Sequence, residues 1–289
     1  MIGSFTALNA LSSCDILTNP WNEFKPKPSF NFKKKYSNFD WQTYLENIES
    51  YYKSIRNKNK KELKRLNMEE INQKITKITK PYLDYMQHLS QIAFDYEKLI
   101  ILNPIINNYP KNHIKSLIKG YNNDASAGGY INNYIFIYIN FIDLKLITHE
   151  FGHHTDKKLN YIDWAFSNFA KSRSEAVAES FVIYVSHKLK KIHPKTSENL
   201  INDTYLNHRT INKKFSDLKK GSPYSNANLI MAIYNKQFQW DYKKTWKYLS
   251  ETSGRKMYSE LEKKCKNLDF SKLVHENYYK IKSIIEPNQ

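Results

Sequence analysis

Two cysteines, Cys14 and Cys265, are all that 289 residues contain, which excludes a disulfide framework and suits a reducing compartment. Seven glycines and nine prolines leave little material for flexible linkers, so the chain reads as one large domain or two modest ones. It has no apolar run of about eighteen residues, the length that a membrane-spanning helix needs. No basic residue precedes the mildly apolar stretch within Met1–Asn19, so it makes a poor signal peptide, and an intracellular location is expected over a secreted one. Arginine is also scarce. Arg56, Arg65, Arg173, Arg209 and Arg255 are the only ones in a chain whose net charge is +17. The remaining basic residues are lysines, which act as point charges and lack the fork that reads a base or grips a phosphate bidentately. That charge implies non-specific attraction to nucleic acid or another anionic surface, weak in sequence preference and falling steeply with salt.

What the chain does have is Thr148-His-Glu-Phe-Gly-His153, a His-Glu-x-x-His motif flanked by apolar residues. Positions four apart on a helix share a face, so His149 and His153 can offer two imidazoles to one metal ion. Zinc suits neutral imidazole nitrogens, and a catalytic zinc site needs a third protein ligand and a water whose pKa falls to about 7. Glu150 stands where it can take a proton from that water and return it to a leaving amine. The spacing predicts a helix opening near Asp143, with Leu146, His149, Glu150 and His153 on one stripe and Ile147 and Phe151 beside it. Gly152, inside that helix, costs about 1 kcal/mol against alanine, which implies close approach of another backbone.

A second helical stretch, Ser172 to Val185, carries Glu175 and Glu179 four residues apart among apolar neighbours. Carboxylates in such a setting need partners. Glu175 as a metal ligand and Glu179 as the acceptor that orients a ligand histidine would supply them.

With these residues in order, the sequence resembles the zincin metallopeptidases, and among them the gluzincins. It is also similar to small zincin domains of phage, plasmid and toxin-associated proteins. The resemblance spans about residues 124 to 190. It implies Zn²⁺ held by His149, His153 and Glu175, with Glu150 as general base and a protein or peptide as substrate. It also implies a Tyr or His from the C-terminal half to stabilise the oxyanion, for which Tyr224 and His208 are the candidates. The metzincin variant does not fit, since Asp156 and Leu159 occupy its glycine and third-histidine positions. From another functional class, the alternative is a zincin-shaped binding protein with affinity for polyanions, or a protease acting on proteins bound to nucleic acid.

The fold expected is α+β, mainly α. Residues 1–36 read as an extended N-terminal arm, 37–118 as a helical N-terminal region, and 119–289 as the zincin-like unit. In the helical region one helix follows Asp40. A second runs from Met68 to Leu102, interrupted or kinked at Pro81, with His88 packed on it. Asn122–Tyr130 reads as a turn-rich segment leading into Ile131–Ile139, a strand that either borders the cleft as an edge to which an extended peptide could add or serves as an ordinary core strand. Helices are expected over Leu200–Lys220, Asn226–Phe238, Lys243–Glu251, Tyr258–Lys266 and Leu273–Ile285, with His187, His193 and His275 at the surface.

Overall fold

Side-chain caps set where the helices begin. Asp40, Asp143, Ser167, Asp241 and Asp269 each accept the backbone N–H three residues on, satisfying a donor that the first turn leaves unpaired. The structure, a computed structural model, describes residues 25–105, 127–131, 133–159, 167–201, 222–265 and 268–286. Its helices are α1 (Phe32–Lys35), α2 (Trp41–Arg56), α3 (Lys60–Lys64), α4 (Met68–Ser90), α5 (Leu144–Thr155) and α6 (Asn168–Leu189). They continue as α7 (Pro194–Ile201), α8 (Pro223–Gln237), α9 (Tyr242–Glu251), α10 (Gly254–Lys264) and α11 (Phe270–Ile285). Three strands, β1 (Leu99–Leu102), β2 (Gly128–Ile131) and β3 (Tyr134–Tyr138), make the fold α+β and mainly α. Among the described residues no helix is long and apolar enough to cross a membrane.

α6 is the axis of the molecule. It is buried almost all round, and α5, α7, α8 and α9 pack against it. Phe181 stacks on Phe151 of α5 on one side and meets Trp246 of α9 on another. One continuous apolar cluster runs from Leu45 and Tyr82 through Ile137 and Phe151 to Ile281, so the N-terminal helices share a core with the helices that follow.

The helix expected from Met68 to Leu102 ends earlier, at Ser90, where Gln91 turns left-handed at φ 58°. Leu99–Leu102 forms β1 instead. All four of its residues are buried, and an apolar run hidden on both faces carries no period to tell strand from helix. Pro81 does not break α4. The Tyr44 hydroxyl donates to Ile78 O (2.8 Å) and accepts from Tyr82 N (3.2 Å), standing in for the helical bond between those two residues.

The sheet order is β1-β3-β2, with β3 parallel to β1 and antiparallel to β2. Among the described strands β3 is therefore central, so of the two readings of this segment the core strand holds for Tyr134–Tyr138 and the cleft edge does not. The edge beside α5 is β2, built from the glycine-containing segment that reads as a turn. β1 is partly closed at its other side, because the Asn72 amide accepts from Ile101 N (2.7 Å) and donates to Ile101 O (3.0 Å). β1 lies before the boundary expected at residue 119 yet shares one sheet with the strands after it.

The described part of the expected arm has no regular secondary structure at residues 25–28, bends at 29–30 and is helical at α1, capped by Asn31. Its Phe32 stacks on His88, 4.6 Å between ring centres. α8 to α11 each begin one to four residues earlier than the sequence periodicity indicates, while the expected helix over Leu200–Lys220 lies almost wholly outside the described residues. His187 and His275 are exposed, but His193 is not. It is buried and caps α7, with Nδ1 accepting from Thr196 N at 3.1 Å.

Candidate metal centre

α5 and α6 bring the candidate ligands together, and Gly152 sets how close the two helices come. A Cβ on Gly152 would lie 2.6 Å from Ala178 Cα and 2.8 Å from Ala178 O, so the close backbone contact expected from the sequence is present. Thr148, just before the first histidine, is tied to α4 by the Tyr82 hydroxyl at 2.7 Å. Asp143, which caps α5, is also paired with Arg56 of α2 at 2.9 Å. The motif helix is thus held at its start, along one flank and against α6.

His149 Nε2 and His153 Nε2 face each other at 3.2 Å. Glu175 comes from α6 to meet them, its Oε2 3.3 Å from His149 Nε2 and its Oε1 3.8 Å from His153 Nε2. Two ligands at the zinc–nitrogen distance on a tetrahedron stand about 3.3 Å apart, so the observed separations fit one small cation. Among the described residues this is the one such group of three.

The other nitrogen of each imidazole is engaged away from the convergence point. His149 Nδ1 donates to Glu179 Oε1 at 2.7 Å, the orienting role expected for that glutamate. His153 Nδ1 lies 2.9 Å from Ser174 Oγ. The sequence reading missed Ser174. Its only signal is its place one residue before Glu175, and serine is too common on helices for that to stand out.

Glu150 is buried on the same side. Its Oε2 lacks a hydrogen-bond partner among the described residues, as expected of a carboxylate arranged for a group other than the protein. Gly128 of β2 brings the sheet edge against it. A Cβ there would stand 3.5 Å from Glu150 Oε1 and 2.7 Å from Phe136 O.

Burial and charge act against each other in this pocket. Burial alone would strip the proton from His149, but the Glu175 and Glu179 carboxylates outweigh it and hold that imidazole well above its usual pKa. Burial lowers His153 to about 4. It also raises Glu150 to about 8. Glu175 stays below the ordinary carboxylate value despite burial, because His149 and His153 face it. The neighbouring His154 takes no part. It points to Tyr130 Oη (3.2 Å) and Ala93 O (2.9 Å), and Lys25 binds its carbonyl.

Tyr224 lies in the first turn of α8 and is partly exposed. Asn226, two residues on, donates to Ser172 Oγ at 3.1 Å, one turn before Glu175, so this end of α8 lies beside α6. His208 falls outside the described residues. No family model, curated protein or solved structure matches the chain.

Proposed function

We propose that the protein is a zinc-dependent metallopeptidase of the gluzincin type. The observation that carries this is the convergence of His149, His153 and Glu175 at tetrahedral ligand spacing, with a buried carboxylate, Glu150, beside it. A structural site of four protein ligands has no use for that carboxylate. When bound, a divalent cation would supply Lewis acidity towards a peptide carbonyl and towards water. Glu150 takes the proton of the attacking water and hands it to the leaving amine. Glu179 and Ser174 hold the two histidines in orientation, leaving both Nε2 atoms for the cation. Among the described strands β2 is the edge beside Glu150, the position from which a sheet takes on an extended peptide, a mode of docking indifferent to side-chain sequence. Tyr224 is the described candidate for stabilising the oxyanion. The lysine-rich surface adds non-specific attraction to anionic partners.

The test compares wild type with Glu150→Gln on a broad peptide library. Elemental analysis should find about one zinc per chain in both, and none in His153→Ala or Glu175→Ala. Hydrolysis should fall by about 10²–10⁴ in Glu150→Gln, the range for loss of a general base. Equal cleavage by both proteins would remove Glu150 from the mechanism. Zinc retained with no cleavage by either would favour a zincin-shaped binding protein.

A further inference from the structure

α5 ends at Thr155, and the next residue, Asp156, is fully buried. Its two oxygens accept from both terminal nitrogens of Arg173 on α6, at 2.6 and 2.7 Å. Arg173 is itself only 3% exposed. Its Nε donates to Thr252 O at 2.7 Å and its Nη2 to Leu249 O at 3.0 Å, at the C-terminal end of α9 where helix carbonyls lack partners of their own. A single guanidinium therefore ties the end of the motif helix, the ligand-bearing helix and α9 together.

An ion pair this deeply buried is weak evidence for stability. Desolvating both charges offsets most of their attraction, and an apolar pair of similar volume often holds a fold equally well. What a bidentate pair does specify is direction, since the planar fork meets the carboxylate in one geometry. Position along the chain matters here. Asp156 lies three residues after His153, and Arg173 two residues before Glu175. The contact between Gly152 and Ala178 fixes the distance between α5 and α6, Phe151 stacks on Phe181 and His149 meets Glu179 along their length, and the Asp156–Arg173 pair adds a directional tie at the C-terminal end of α5. The ligand separations of 3.2–3.8 Å would not survive a shift of about an ångström along the helix axes.

We propose that the Arg173–Asp156 pair is the positioning clamp that sets the register of α5 against α6, and through it the geometry of the metal site. This rests on the reading of His149, His153 and Glu175 as ligands.

The test uses the full chain with Asp156→Leu and Arg173→Met combined, so that no unpaired charge stays buried. Zinc affinity is measured by competition with a chromophoric chelator, and geometry by the visible spectrum of the Co²⁺-loaded protein. With chelator present, the double variant should melt within a few degrees of wild type. Its zinc affinity should fall by up to about 10–100-fold, the range for partners hydrogen-bonded to the ligands themselves, with a changed Co²⁺ spectrum. Asn277→Ala, which removes a buried hydrogen bond between α8 and α11, should lower the melting temperature and leave affinity and spectrum alone. Should the double variant not fold, Arg173→Lys keeps the charge without the fork and should show the same direction of change. Wild-type affinity and spectrum in whichever variant folds would overturn the clamp. A wild-type chain that binds no zinc would overturn the ligand reading and the clamp with it.

Discussion

At the scale of single residues, the site sets charge against burial, and Glu150 shows the consequence most directly. Its pKa of about 8 in the metal-free fold compares with 4.5 for an ordinary glutamate, so between those values the folded chain holds a proton that the unfolded chain has lost. The contribution of Glu150 to the stability of the metal-free protein therefore falls as pH rises from about 4.5 and levels off above about 8, against the opposite contribution of His153, whose pKa of about 4 lies below its ordinary 6.5. At about 1.4 kcal/mol per pKa unit the ceiling is roughly 4–5 kcal/mol, and relaxation of the pocket reduces it. Glu150→Gln has no proton to lose, and Glu150 Oε2 has no hydrogen bond among the described residues to forfeit. With chelator present, the variant should match wild type near pH 5 and melt progressively higher than wild type towards pH 8. A gain that is flat across that range would show that Glu150 is not desolvated as the structure has it. The same residue should then raise stability and abolish hydrolysis when neutralised, which is the pattern of a group retained for chemistry at a cost in folding.

At the scale of elements, what the sequence made legible was whatever repeats locally. His149 and His153, and Glu175 and Glu179, are each a helical turn apart, so their shared faces followed from spacing, and Gly152 marked the close approach because glycine is costly inside a helix. What stayed hidden depends on residues far apart in the chain. β1 is an apolar run without a period, and β2 begins with two glycines that read as a turn until β3 pairs with them. Arg173 offered one sign, a lone arginine inside an apolar helix, but its partner Asp156 lies outside any periodic segment. Nor could Pro81 disclose that the chain passes it as helix, because the hydroxyl that bridges the gap comes from Tyr44 on another helix. Tyr44→Phe should leave Ile78 O and Tyr82 N without that bridge and cost about 1–3 kcal/mol by urea unfolding. Combining it with Pro81→Ala lets the ordinary helical ladder re-form and should recover most of that loss. If the double variant is as unstable as the single one, the hydroxyl is not what carries α4 past the proline.

At the scale of the whole molecule, the described N-terminal helices share a core with the helices that carry His149, His153 and Glu175, which predicts that they unfold as one unit. The apolar cluster is continuous from Leu45 on α2 to Ile284 on α11, and β1, from the N-terminal half, pairs with β3 next to the motif helix. Tyr82 of α4 reaches Thr148 on the turn that carries His149, and Arg56 of α2 reaches the cap of α5. Unfolding α2 and α4 would therefore strip the support from the helix that presents both histidines, and releasing those histidines would open the core that α4 closes. On the proposed reading zinc would bind the folded site in preference to the unfolded chain, so its free energy of binding would add to the stability of everything that unfolds with the site. At a free zinc concentration a thousand times Kd this is about 4 kcal/mol, and a domain of this size moves by about 2–4 °C per kcal/mol. Calorimetry with chelator should show one main transition, and zinc should move it upward as a whole by roughly ten degrees. Two transitions, of which zinc shifts only one, would mean that the shared core does not couple the N-terminal helices to the site. The helical N-terminal region would then be a separable layer, and the contacts from Tyr82 and Arg56 would be incidental to holding the motif helix in place.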